Sequence, residues 1–242
     1  MKGRIRAMVG TGIAADAREA ASALRWWLEM GVDVAIQEDA RNWLADDKAA
    51  PALLAPEKPA APAELPDTLE AFHHWLSNDA SAPLFAPRSK AVMPHGDSEP
   101  EIMILAEPPR REDIASGTPL SGEAKNLLQA MLRAIGMAGQ AYVANLACFL
   151  APVSRMSPQQ VAQCAEAARR HVALVKPKRL LLLGDAPCVA LLDKTVADAR
   201  GHTHRIEGVP AVATFHPRQL IIRTGDKGRA WQDLLLLTKD SQ

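Results

Sequence analysis

The stretch RLLLLGDAPCVALL, residues 179–192, decides the fold. Its four consecutive leucines leave no alternating polar position, which is the pattern of a strand covered on both faces. Gly184 breaks the run, and the apolar residues that follow, to about 193, read as a short helix. Three more β-prone runs flank it in sequence: IMILA (102–106), AYVANLA (141–147) and VPAVATF (209–215). Amphipathic helical segments at 122–135 and 158–175 lie between them. Apolar strands alternating with helices predict an α/β fold, a three-layer sandwich with a central four-stranded parallel sheet. Ligands of open parallel sheets bind beyond the carboxyl ends of the strands. Those ends read Glu107, Asn145, Gly184 and His216, so a carboxylate, a carboxamide and an imidazole are expected at one edge.

The first 98 residues have a different character. ADAREAASALRWWLEM (15–30) carries apolar positions at helical spacing and stops at Gly31, with Trp26 and Trp27 read as packing anchors. DKAAPALLAPEKPAAPAELP (47–66) is rich in Ala and Pro, a composition that favours extended chain, and reads as a linker. A short helix, DTLEAFHHWLS (67–77), follows, with His73 and His74 expected at the surface, and then irregular chain to about residue 98. The predicted division is an N-terminal helical extension and linker, 1–98, and an α/β domain, 99–242.

Composition narrows the function classes. The chain has 242 residues, 48% hydrophobic and 23% charged, enough for one full α/β domain with an extension. No apolar run reaches the roughly eighteen residues of a membrane span, and the first residues lack a secretory apolar core, so a cytoplasmic protein is expected. A net charge of +0 hides an asymmetry: residues 1–98 hold 10 basic and 14 acidic side chains, residues 99–242 hold 18 and 14. The C-terminal part is compatible with a polyanionic partner. Cys148, Cys164 and Cys188 are scattered, without a CxxC pair, and give neither a disulfide framework nor a complete metal site.

Four motifs in order make the segment from about 101 to 238 resemble the uracil-DNA glycosylase superfamily, and within it the family 4 type. LAEPPRREDIASGTPLSGEAKNLLQAMLRAIGM (105–137) is similar to that family's first motif, a Gly-Glu-Ala-Pro-Gly turn followed by Gly-Arg-Pro-Phe-Val-Gly and a helix. AYVANLACFLAPVSRMSPQQVAQC (141–164) resembles its Thr-Asn segment, and VKPKRLLLLGDAPCVALL (175–192) its Arg-Pro-Lys strand and Gly turn. VATFHPRQLIIR (212–223) and KGRAWQDLLLL (227–237) resemble its His-Pro motif and closing helix.

The resemblance implies a DNA glycosylase that hydrolyses the N-glycosidic bond of uracil, or a related damaged base, flipped out of DNA for base-excision repair. Glu107 falls where the family positions the attacking water, and His216 where charge growing on uracil O2 is stabilised. Asn145 falls on the residue that reads the uracil edge, its carboxamide accepting from N3–H and donating to O4. Pro108 and Leu120 fall on the other base-contacting positions. Leu220 and Ile221 are the implied wedge into the duplex, and Arg110, Ser121, Pro217, Arg218 and Arg223 the remaining DNA contacts. DNA is the implied partner of a monomer, with no membrane. His216→Ala is expected to cost activity with little change in stability.

Departures from the family cluster on the pocket. Ala106, Pro108 and Arg110 replace the family's glycine, alanine and glycine, and a proline has no N–H to offer a base. Leu120 replaces the stacking aromatic, at a cost on the order of 1–3 kcal/mol. Family 4 implies an iron–sulfur cluster on four thiolates. Residues 1–147 contain no cysteine, Cys148 is one position off and Phe149 takes a ligand's place. Cys164 alone matches, so no cofactor and no metal are expected. Two other readings stay open: a non-catalytic DNA-binding member of the same superfamily, and a nucleotide- or phosphate-binding α/β protein using the Gly184 turn. The enzyme requires Glu107, Asn145 and His216 to face one cavity large enough for a pyrimidine, with no Pro108 or Arg110 atom filling it. A binding-only member would keep the basic rim and wedge around a blocked or enlarged pocket, and a phosphate binder would place its cavity at Gly184.

Overall fold

The computed structural model of the chain describes residues 65–97, 99–151 and 156–239, together with Ser22 and Trp26. Contacts divide the chain into two units, 1–58 and 59–242. In the first, Ser22 and Trp26 are helical, and Trp26 is 58% exposed rather than a packing anchor. Trp27, the rest of the 15–30 helix and most of the 47–66 linker lie outside the described residues.

The second unit is built on a six-stranded sheet: β1 (His95–Gly96), β2 (Ile102–Ala106), β3 (Ala141–Asn145), β4 (Arg179–Leu183), β5 (Thr203–Ile206) and β6 (Val209–Thr214). The order is β1-β3-β2-β4-β6-β5. The four predicted strands are β2, β3, β4 and β6, and all pair in parallel. Two antiparallel edge strands extend the expected four-stranded core, β1 on β3 and β5 on β6. The β5–β6 hairpin turns on Glu207 and Gly208, both at positive φ, the geometry of a two-residue primed turn.

All five residues of β2 and Leu180–Leu183 of β4 are buried, so apolar surface is covered on both faces of the sheet. Each leucine buried this way contributes about 1.5–3 kcal/mol. The covering helices among the described residues are α1 (Leu69–Asn78), α2 (Arg111–Ser116), α3 (Gly122–Ala134), α4 (Pro158–Val175), α5 (Asp185–Leu192), α6 (Val196–Ala199), α7 (Pro217–Ile222) and α8 (Lys227–Lys239). The onset of α4 is written in sequence: Ser157 and Gln160 form a reciprocal capping box and Pro158 holds the first turn.

Helix α1 carries Phe72 and Leu76 into a cluster with Cys148, Phe149 and Ala167. His73, expected at the surface, is half-buried; its Nε2 lies 2.7 Å from the Tyr142 hydroxyl, which lies 2.8 Å from Nε2 of buried His171. A helix in the segment read as extension and linker thus packs on the α/β core, because its apolar face meets an aromatic hollow that only the tertiary fold creates.

At the far side of the sheet, Asp233 of α8 is wholly buried and fully bonded. Its carboxylate accepts from Arg200 through two nitrogens at 3.0 and 3.1 Å, from Thr214 Oγ1 at 2.8 Å and from Gly201 N–H at 3.1 Å. This ties the closing helix to the last residue of β6, two positions before His216. No helix among the described residues is long and apolar enough to cross a membrane.

Candidate active site

The parallel register aligns the strand ends. Ala106 pairs with Asn145 on one side and Leu183 on the other, and Leu183 pairs with Thr214. Glu107, Asn145, Gly184 and His216 therefore leave the sheet at one edge. The chain moves from β2 to β3 on one side and back to β4 on the other, so the direction of winding reverses between β2 and β4, where open sheets form their crevice.

Glu107 occupies that crevice. Its Oε1 accepts from the Asp185 N–H at 3.3 Å, at the start of α5. Its side chain also lies against Gly184: a Cβ there would sit 2.4 Å from Oε1, and the backbone holds φ +93°. The Gly184 turn is thus covered by the protein's own carboxylate, which leaves a bound phosphate no place there. Burial raises the Glu107 pKa; the Asp185 N–H and the charges of Arg110 and Arg218 work against that rise. Gly184→Ala is expected to push the carboxylate aside, costing about 1–3 kcal/mol of stability. A 1 Å displacement of a reacting group is worth about 10²-fold in rate, so the activity loss should exceed what the stability loss explains, as thermal melts beside initial rates will show.

Asn145 is 7% exposed. Its Nδ2 donates to the Glu107 carbonyl at 2.6 Å and to the Pro119 carbonyl at 3.1 Å, which uses both hydrogens. Its Oδ1 is buried with no partner. His216, 3% exposed, lies two residues beyond β6 and caps α7: Nδ1 accepts from the Arg218 N–H at 3.1 Å. A lone pair on Nδ1 puts the proton of the neutral ring on Nε2, and Nε2 is the second buried atom without a partner. Burial, reinforced by Arg218 and Arg110, lowers the His216 pKa to about 3, so the ring stays neutral near pH 7. The edge therefore presents one orphan acceptor and one orphan N–H donor. Neither touches solvent, so opening of their cover is part of any binding step.

The charges of Arg110 and Arg218 reach both Glu107 and His216 along this edge. Asp113 organises it, and no sequence motif pointed there. Wholly buried, it receives Arg218 Nη2 at 2.6 and 2.7 Å, Ser121 Oγ at 2.7 Å and the Arg110 N–H at 2.9 Å. The available hint was Asp113 in the first turn of a short helix, three residues after Arg110.

Several expected contacts change. Leu220, implied as part of the wedge, is 1% exposed and packs in the core, because it lies on the inner face of helix α7; Ile222 is the outward residue, 81% exposed. Pro217 is buried in the first turn of α7. Arg218 and Ser121 are engaged by Asp113, while Arg223 and Arg110 remain exposed. Leu120 is 2% exposed and lines a cavity of about 370 Å³ whose walls include none of Glu107, Asn145 and His216. Pro108 is half-buried directly after Glu107. His216 is a buried cap rather than a cleft residue, so His216→Ala must also cost stability, about 0.5–2 kcal/mol for the cap.

The cysteines do not suit an iron–sulfur cluster. Cys148 packs with Phe72, Phe149 and Ala167, and Cys164 and Cys188 are buried in the main core. Four thiolates hold such a cluster, and the chain has three cysteines, split between two parts of the core. Among the described residues no group of three His, Cys, Asp or Glu side chains is placed to hold a metal ion.

Burial also sets the response to acid. His171 and His216 have pKa values lowered to about 3 against 6.5 for the free side chain. The unfolded chain binds those protons first, so stability is lost as pH falls from 6.5 towards 3, by about 1.4 kcal/mol per unit for each group. Glu107 and Asp233, whose pKa values are raised, act in the opposite sense as they titrate. Urea midpoints are expected to fall steadily from pH 7 to pH 5, and His171→Phe should flatten that slope.

Comparison with known proteins places this geometry. The profile of the uracil DNA glycosylase superfamily matches residues 93–235. A type-4 uracil-DNA glycosylase of Pyrobaculum aerophilum is 26% identical over 180 residues, 69% of this chain and 92% of its own. One from Thermotoga maritima is 26% identical over 161 residues, 64% and 84%. One from Archaeoglobus fulgidus is 25% identical over 140 residues, 53% and 70%.

Proposed function

Since the chain belongs to the uracil DNA glycosylase superfamily, we propose that it is an active DNA glycosylase that hydrolyses the N-glycosidic bond of uracil. The observation that carries this reading is the pair of orphan atoms, a buried acceptor on Asn145 and a buried donor on His216. Uracil offers the matching pair on adjacent atoms, N3–H and O2. Cleavage leaves an oxocarbenium-like sugar and negative charge on the base. The Nε2–H of neutral His216 meets that charge at O2, and the guanidiniums of Arg110 and Arg218 add a positive field. Ionised Glu107 orients the water and takes its proton as it attacks the sugar.

DNA approaches over the open groove whose lining includes Arg110, Arg218, Ile221 and Ile222 together with the carboxylates of Glu112 and Glu123. Ile222 replaces Leu220 as the wedge, with Arg223 beside it for a phosphate. The enzyme acts as a cytoplasmic monomer without a metal or cofactor. Iron and acid-labile sulfide analysis of the purified protein is expected to find neither in stoichiometric amount, and chelators to leave its activity intact.

The alternative, a scaffold that binds DNA without chemistry, keeps the groove and exposed wedge but gives the orphan pair no purpose. Excision measured on an oligonucleotide carrying one uracil, beside salt-dependent binding to the same DNA, separates the two.

A further inference from the structure

We infer that this site selects its base at the ring N–H and the neighbouring carbonyl alone, and is blind to the substituent at position 4. The inference rests on the glycosylase reading above and deepens it. A carboxamide reads a uracil edge fully when its oxygen accepts from N3–H and its nitrogen donates to O4. Here the nitrogen is spent. Both Nδ2 hydrogens of Asn145 are held by the carbonyls of Glu107 and Pro119, at 2.6 and 3.1 Å. These carbonyls belong to the two loops that frame the edge, so releasing Nδ2 would strand buried backbone acceptors as well as move the loops. Oδ1 is left as an acceptor and His216 Nε2–H as a donor at the same sheet edge, both buried and unpartnered.

Two atoms of opposite polarity define the substrate class. A base is accepted when a ring N–H, for Oδ1, adjoins a carbonyl oxygen, for Nε2–H. Uracil qualifies through N3–H and O2. Cytosine is refused because its N3 is a lone pair facing the lone pairs of Oδ1, with no contribution from a donor at O4. Discrimination against the undamaged base thus comes from repulsion and an unsatisfied buried acceptor, which is strong selection.

The test uses the wild-type full chain and needs no substitution. Single-turnover excision is compared for oligonucleotides carrying uracil, 4-thiouracil, 2-thiouracil and N3-methyluracil. Binding of the corresponding free bases is measured in parallel, since sulfur also changes the leaving group. Replacing O4 by sulfur is expected to change excision and free-base affinity by less than about 3-fold, whereas N3-methylation lowers both by at least about 100-fold. The 2-thio base should fall between, through its poorer acceptor for His216. A loss of about 10-fold or more for 4-thiouracil in both assays shows that Nδ2 turns to O4 and overturns the inference while leaving the glycosylase intact. No uracil excision, with free uracil still bound and N3-methyluracil rejected, defeats the proposed reaction but upholds the recognition rule. Neither excision nor free-base binding defeats both.

Discussion

Glu107→Gln is expected to lower uracil excision by about 10²- to 10⁴-fold, the range of a positioned general base. Glutamine keeps the volume and can still lie over Gly184, so the crevice between β2 and β4 stays filled. It cannot take a proton from water. Destabilisation should be small: the carboxylate is held against desolvation, which raises its pKa, and its bond to the Asp185 N–H is long at 3.3 Å. Loss of activity with an unchanged melt is the signature of chemistry rather than folding. The raised pKa also fixes the acid limb of the rate profile. Excision should fall as pH drops through a point above the ordinary carboxylate range, with no inflection near 6.5 from His216, which stays neutral down to about 3. Glu107→Gln removes that limb from whatever activity remains.

Asp113→Ala is expected to be the most destabilising substitution at the site, by about 3–5 kcal/mol, the cost of removing one partner of a buried ion pair. The Arg218 side chain is 15% exposed and would lose both carboxylate contacts. Ser121 Oγ and the Arg110 N–H lose their acceptor at the same time. For a domain of this size each kcal/mol moves Tm by about 2–4 °C, so a drop of roughly 10 °C is expected. Asp113→Asn, which can still accept hydrogen bonds, should recover part of the stability while DNA affinity stays impaired, because Arg218 is no longer anchored by charge. A melt within a degree or two of wild type would mean that the Asp113 cluster does not hold the site together.

The parallel core was legible because its strands are buried on both faces: unbroken runs such as IMILA and RLLLL admit no amphipathic reading. The four strand-end residues followed from that register alone. The edge strands were not legible. β1 is two residues long, and β5 reads THRI, with a polar, half-exposed pattern that apolar-run criteria pass over. Its signal lay in the two-residue Glu207–Gly208 loop before VPAVAT. Burial of single residues was legible least. The resemblance implies Leu220 as part of the wedge, but the helical turn of α7 carries it into the core and turns Ile222 outward. Likewise Asp113 reads as one acid among several in REDIAS; only the fold brings Arg218, 105 residues later, onto it. The consumption of Asn145 Nδ2 by two carbonyls is also a tertiary fact, since motif matching identifies a residue but not which of its atoms is free.

The most direct test of the account is release of uracil from an end-labelled oligonucleotide with a single uracil, single-stranded and opposite G or A, by wild-type protein beside Glu107→Ala/His216→Ala. Alkali-labile cleavage by the wild type and none by the double variant is the predicted result. Equal cleavage by both proteins, or salt-sensitive binding to the DNA with no cleavage by either, would contradict it.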